Sequence, residues 1–221
     1  MTRSRLSLAA LATLTLVGGW MRVRQARESL WLDELHTAWC ALGSLAEVAP
    51  RATIGNQSPL FFWLQWLLVQ LLGASELTLR LPSIVAGTLL PAALFFVTRR
   101  GTESAWCGLV AAALVVVDPL SIFFATEARP YALIQLLAVL HVGLFAEVLQ
   151  RPTPRLRLAL VAGAALLFHL HYTAILLVAG ELVALVLLRL WASKPPEYRG
   201  RAAALDLVLI ALLCLPAVGN L

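Results

Sequence analysis

Charge is what this chain has least of. Of its 221 residues only 13% are Asp, Glu, Lys or Arg, while 61% are hydrophobic. A water-soluble domain carries about 25% charged residues. With a mean hydropathy of +0.86, a single core under a polar skin is excluded and a polytopic membrane protein is expected. Cysteine is scarce too. Cys40, Cys107 and Cys214 are widely separated, with no CxxC and no His pair nearby at metal-ligand spacing, so neither a disulfide framework nor a zinc site is indicated. No internal repeat is present and acids within the apolar runs are sparse, which counts against a transporter or channel, the alternative from another functional class. A cleavage site is missing as well. The first apolar run, Leu6 to about Val23 behind Arg3 and Arg5, is followed by Arg22-Val-Arg-Gln-Ala-Arg27, so it is expected to be an uncleaved membrane helix. The net charge of +5 does not imply nucleic acid, because the arginines flank apolar runs as topology anchors and form no single patch.

Six further spans are expected: Leu77 to Thr98, Ala105 to Val117, Leu120 to Gln150 with a polar interruption, Leu158 to Leu170, Thr173 to Leu190 and Ala202 to Val218. Between the first span and these lies a loop with structure of its own. It begins with the adjacent carboxylates Asp33 and Glu34, and after them Leu35, Ala38, Trp39 and Leu42 fall on one helical face, with Gly43 as the expected C-cap. Ser44 and Glu47 form a capping box for a second short helix, which Pro50 is expected to limit. An amphipathic helix here belongs in the membrane interface, its N-terminal carboxylates turned to the headgroups and favoured as anions by the helix dipole. Trp31, Trp39, Trp63 and Trp66 fit an interfacial aromatic belt, with stacking on a sugar or prenyl chain as a second use.

Pro59 to Leu72 decides the topology. As a helix it is ~21 Å long, short of the ~30 Å hydrocarbon core, and Gln65 and Gln70 interrupt it. An interfacial or re-entrant helix is therefore expected. With the N-terminus inside, Arg99-Arg100, the loop Arg151 to Arg157 and the loop Lys194 to Arg201 are then cytoplasmic. The Asp33 loop, the turn Ala125 to Tyr131 and the His169-Leu-His171 corner gather on the outer side. In a rival topology Pro59 to Leu72 spans and the N-terminus is outside, which charge counting alone does not reject.

Leu30-Trp-Leu-Asp-Glu34, Ser58-Pro-Leu-Phe-Phe62, Leu72-Gly-Ala-Ser-Glu76 with Arg80-Leu-Pro-Ser83, and Ala125-Thr-Glu-Ala-Arg-Pro-Tyr131 resemble, in order and spacing, the N-terminal half of the family 39-like glycosyltransferases of the GT-C fold. These include protein O-mannosyltransferases, aminoarabinose transferases and lipid-linked galacturonosyltransferases. Where members usually have His-Pro-Pro, this chain has Gln57-Ser58-Pro59. Members also usually run longer. The resemblance implies an all-α, polytopic transmembrane bundle of the GT-C type with an amphipathic, interfacial first outer loop. Residues 1–221 are expected to be its N-terminal part, with a first span over 6–23, an outer loop over 24–76 and further spans over 77–218. A catalytically inactive fragment is the alternative that the length keeps open.

The activity so implied is transfer of a sugar from a polyprenyl-phosphate donor to an acceptor glycan, lipid or protein at the outer face of the cell membrane, with no nucleic-acid partner. Inverting displacement needs a carboxylate to take the acceptor's proton and a cation to stabilise the departing phosphate. Asp33 suits the base, with Glu34 in support. Arg129 suits the phosphate clamp, since guanidinium binds phosphate oxygens in bidentate fashion and stays charged in an oily setting. Glu127, Arg80 and Tyr131 complete the expected donor site, Glu127 by orienting Arg129 or binding a sugar hydroxyl. Bland alternatives stand beside these roles: Asp33 as a helix cap, Glu127 and Arg129 as a local ion pair, Glu76 and Arg80 as an i,i+4 surface pair. His169 and His171, two apart, point to different helix faces. No cofactor is implied and no metal site is indicated, although two outer-face carboxylates are able to ligate a divalent ion. Glu147 and Glu181 lie near or within apolar runs without an assigned role.

Overall fold

The apolar runs become helices almost residue for residue. The structure, a computed structural model, describes residues 3–218, and among them there is no strand. The elements are α1 (Arg3–Gln25), α2 (Leu32–Ala41), α3 (Leu45–Ile54), α4 (Pro59–Leu72), α5 (Glu76–Thr102), α6 (Ala105–Val117), α7 (Pro119–Ala125), α8 (Tyr131–Gln150), α9 (Pro154–Leu170), a 3-10 turn (Tyr172–Ala174), α10 (Ile175–Trp191) and α11 (Gly200–Val218). Among the described residues four helices are long and apolar enough to cross a bilayer, and five if α6 and α7, bent by 65° at their junction, count as one span. The protein is a polytopic helical bundle. Leu16, Trp106, Leu114 and Leu176 are exposed, as lipid-facing side chains are: the solvent along the bundle's sides is hydrocarbon, and burying them would gain nothing.

α5 is the central post, packed by α1, α6, α7 and α8. Pro82 and Pro91 both lie inside it, which a membrane helix tolerates when its neighbours hold the freed carbonyls. At Gly87 the approach is so close that a Cβ would lie 2.3 Å from Ala125 Cβ and 2.9 Å from Arg22 Nε. Only glycine lets α7 and the Arg22 side chain meet α5 there. Arg22 itself is fully buried, which corrects its reading as a topology anchor. Its guanidinium donates to Gly18 O at 3.1 Å and to Val115 O at 3.2 Å. Val115 is in the last turn of α6, and the residue four on, Pro119, has no N–H to offer it. Arg22 thus supplies a donor that the α6–α7 break removes.

α2, α3 and α4 form a cap over one end of the bundle. Ser58, at the head of α4, donates to the carbonyl of His169 at the end of α9, and Phe61 and Phe62 pack against Leu170. Further along α4, Gln65 Nε2 donates to Leu79 O at 2.7 Å, in the first turns of α5, and Val69 packs on Leu79 and Ala128. The start and the later turns of α4 therefore touch the same end of the bundle. The helix packs across that end of the bundle.

Details of the cap differ from expectation in two places. Pro50 does not limit α3, which continues to Ile54. The capping box is made, with Ser44 N–H donating to Glu47 Oε2 at 2.7 Å, and beyond the proline Arg51 bonds back to Glu47 Oε1 at 2.7 Å while Val48 and Ala52 bury into the cap's core. These contacts carry the helix past one missing N–H. Gly43 stands one place beyond the C-cap, Leu42, and α2 ends without a left-handed residue. The glycine serves a different need: a Cβ there would lie 2.5 Å from the Arg51 guanidinium. On α2, Leu35, Trp39 and Leu42 are exposed while Ala38 is buried, so the apolar face proposed for the interface is the outward one.

Candidate active site

Glu34 sits at the centre of what the cap holds together. It is 0% exposed, and its two oxygens take a fork from Arg80, Nε to Oε1 at 2.8 Å and Nη2 to Oε2 at 2.6 Å. Oε1 also accepts the Ala128 N–H at 2.7 Å, and Oε2 the Trp31 N–H at 3.2 Å. Arg80 is spent on the same junction: its remaining donors reach the carbonyls of Ala26, Glu28 and Ser29 at the start of the first loop. One carboxylate and one guanidinium so tie α2, α5, the α1–α2 connection and the α7–α8 turn. Arg80 is therefore not the surface partner of Glu76, and Glu34 and Arg80 both face inward with their polar atoms engaged.

Asp33, the neighbouring residue, turns to another side of α2. It is half-buried, and no hydrogen bond or ion pair within the described residues occupies its carboxylate. Its backbone oxygen accepts from Arg129 Nη1 at 3.4 Å, which sets the α7–α8 turn beside it. Ser83 Oγ fixes that turn from below through Arg129 O at 2.8 Å.

The turn presents two groups that are buried and unpaired. Glu127 is 4% and Arg129 5% exposed, yet they make no ion pair with each other, and Glu127 Oε1 and Arg129 Nε have no hydrogen-bond partner. The local ion pair that their spacing allowed is absent. Leaving such groups unsatisfied costs about 1–3 kcal/mol each, more when charged. Burial, together with the negative charges of Glu34 and Asp33, pushes the Glu127 carboxyl up to about 7, while Arg129 and a contact from the Trp31 side chain draw it partly back. The Arg129 guanidinium lies 5.7 Å from the centre of the Tyr131 ring, a cation–π distance. His171 closes the group, its ring 5.7 Å from that of Tyr131. Burial and the Arg129 charge hold its imidazole below the usual histidine value.

Asp33, Glu127, Arg129 and Tyr131 thus come together at one end of the bundle, with Glu34 and Arg80 as the strut beneath them. His171 joins from a separate hairpin, and the convergence of the three outer loops was the only sequence signal for it. Ser83 and the Ala128 amide were not foreseen: the serine's partner is a backbone carbonyl and the amide is itself backbone, and neither has a signature in the sequence. His169 points elsewhere, its Nε2 3.0 Å from Leu213 O. Of the two unassigned acids, Glu147 pairs with Arg100 and Glu181 lies 3.2 Å from His141.

The arrangement offers a free carboxylate, a second carboxyl titrating near neutrality, and an arginine with a donor to spare whose guanidinium lies against the Tyr131 ring. That set suits a substrate carrying hydroxyls and a phosphate. Against known proteins, a family profile described as dolichyl-phosphate-mannose-protein mannosyltransferase matches residues 56–217. No curated protein and no solved structure matches. The matched stretch holds Arg80, Glu127, Arg129 and Tyr131; Glu34 is tied to it by the bonds from Arg80 and Ala128, and Asp33 by the bond from Arg129 to its backbone oxygen.

Proposed function

Since the chain belongs to the dolichyl-phosphate-mannose-protein mannosyltransferase family, and so is a membrane glycosyltransferase of the GT-C type, we propose that it moves a sugar from a polyprenyl-phosphate carrier to an acceptor hydroxyl or amine at the extracytoplasmic face, by one inverting displacement with Asp33 as the base. The acceptor's oxygen or nitrogen attacks C1 of the sugar from the side opposite the phosphate. The bond from C1 to the phosphate oxygen breaks, and its electron pair leaves with the polyprenyl phosphate. The acceptor's proton passes to the Asp33 carboxylate.

The observation that carries this reading is the freedom of Asp33 beside a buried, unpaired Arg129. A carboxylate locked in a structural ion pair is a poor base, and Glu34 is so locked while Asp33 is not. Arg129 stabilises the charge that grows on the leaving phosphate, and its unused Nε is available for that contact. Glu127, with its carboxyl near neutrality, both gives and takes hydrogen bonds and is suited to a sugar hydroxyl. Tyr131 supports the guanidinium from its face. Glu34 and Arg80 are positioning residues. The family assignment takes the place of the transporter reading.

Asp33→Asn in the full chain tests it. Turnover of a polyprenyl-phosphate sugar is expected to fall about 10²- to 10⁴-fold, with donor binding and thermal stability unchanged. Near-normal turnover in that variant would show that the base is another group.

A further inference from the structure

The other end of the bundle holds a second, differently built site. Twenty-residue α8 puts its C-terminus, Gln150, roughly 30 Å from Tyr131 and the candidate active site. There the connection between α10 and α11 is no slack linker. Glu197 N–H donates to Leu149 O at 2.9 Å, Arg189 reaches the Tyr198 carbonyl, and the buried Tyr198 phenol donates to Asp206 Oδ2 at 2.6 Å. Asp206 is itself gripped by Arg157, at 2.7 and 2.9 Å. Pro195 and Pro196 restrict what lies between. The result is a strap pinned across the ends of α8 and α10.

The strap walls two clefts. On one side a cleft of about 520 Å³ is lined by Leu149 and Leu188 with Arg151, Lys194 and Glu197. On the other, Arg189, Arg199 and Arg201 line a cleft of about 700 Å³. Both lie within the 300–1,000 Å³ typical of ligand sites. Arg151, Lys194, Arg199 and Arg201 have no carboxylate within 4.0 Å among the described residues, whereas Arg51, Arg80, Arg100 and Arg157 each do. Positive-inside bias accounts for cations at this end. It does not account for Arg151 and Lys194 standing around a concavity walled by Leu149 and Leu188, since topology responds to charge count alone.

We infer that the strap and the ends of α8 and α10 form a binding site for an anionic phospholipid of the cytoplasmic leaflet, one with a hydroxyl-bearing headgroup of the phosphatidylglycerol type. The guanidinium of Arg151 and the ammonium of Lys194 meet the phosphate, Arg199 on the strap's other face adds its charge to the field there, and Leu149 and Leu188 meet the upper acyl chains. Glu197, also without an ion pair among the described residues, accepts from a glycerol hydroxyl and disfavours a headgroup that carries its own carboxylate. A free phosphate would use the cations and leave the leucine walls without a partner, so the lipid is the source that fits both.

The site is independent of the sugar-transfer reading, and so is its test. The purified full chain in nanodiscs of mixed phosphatidylglycerol and phosphatidylcholine is examined by native mass spectrometry for retained lipid. Phosphatidylglycerol is expected to be retained selectively, and inorganic phosphate at millimolar concentration not to displace it. In Arg151→Gln/Lys194→Gln/Arg199→Gln the selectivity falls about fivefold per cation removed, on the order of 100-fold in all. Arg5→Gln/Arg99→Gln/Arg155→Gln removes the same charge from the same end away from the strap and keeps it. Lys194→Gln alone, expected to lose about fivefold, serves if the triple variant does not fold. Equal retention of both lipids, an equal loss in the two triple variants, or displacement by phosphate would each overturn the assignment.

Discussion

Asp33 and Glu34 are adjacent and chemically alike, and the fold gives them opposite tasks. Glu34→Gln breaks a buried bidentate pair and strands Arg80, and is expected to cost about 3–5 kcal/mol, read as a lower unfolding midpoint in detergent. Asp33→Asn leaves that midpoint within error. Equal midpoints in the two variants would mean that the strut carries no stability. Glu127 makes a second prediction through pH. Its carboxyl titrates near 4.5 when unfolded and at about 7 when folded, so the folded state holds the proton more tightly. The stability it contributes is complete below about pH 4.5 and is lost as pH rises through about 7. His171, shifted below 6.5, has the opposite sign, its contribution being lost as pH falls. Between pH 5 and 8 the midpoint of Glu127→Gln should therefore decline less than that of the natural chain, and parallel declines would refute the assignment. The sequence showed the acidic pair and its helical setting. It did not show which of them is buried, because that depends on Arg80, 46 residues on, and the i,i+4 spacing to Glu76 offered that arginine a local partner it does not take.

The elements were legible where hydrophobic length decides them and illegible where a distant side chain does. α6 and α9 end where the apolar runs end, and the polar interruption near residue 126 does divide α7 from α8. Pro50, by contrast, carries every sequence mark of a helix stop, and the packing of Val48 and Ala52 overrides it. The α6–α7 break shows the converse, a proline that does break and whose effect is repaired by Arg22 from another helix. Removing that donor by Arg22→Met leaves Val115 O unsatisfied and is expected to cost about 1–3 kcal/mol. In a Pro119→Ala background, which returns an N–H to the chain at that place, the same change should cost less. A double-mutant cycle in thermal or denaturant unfolding measures the difference, and strict additivity would separate the two residues.

For the molecule as a whole, the cap and the strap mark two ends, about a bilayer's hydrocarbon thickness apart along α8. With its own cysteines replaced, the chain carrying Asn56→Cys, an exposed site beside α4, is expected to react with an impermeant maleimide in intact cells. Thr153→Cys, exposed at the opposite end, should react only after lysis. Labelling of both before lysis, or Asn56→Cys labelling only after it, would remove the extracytoplasmic placement. Cys40 is no substitute as a probe: it is fully buried, and burial raises its thiol to about 11. The bonds of Glu34 also order events in time. Its partner at Trp31 has already been made when Glu34 leaves the ribosome, but Arg80 comes 46 residues later and the Ala128 amide 94 residues later. At ordinary elongation rates these intervals are roughly 2–9 s and 5–19 s. Throughout that wait the carboxylate lacks the guanidinium and the amide that later enclose it. The joint between α2, α5 and the α7–α8 turn is thus the last to close, set only when the turn carrying its final donor arrives.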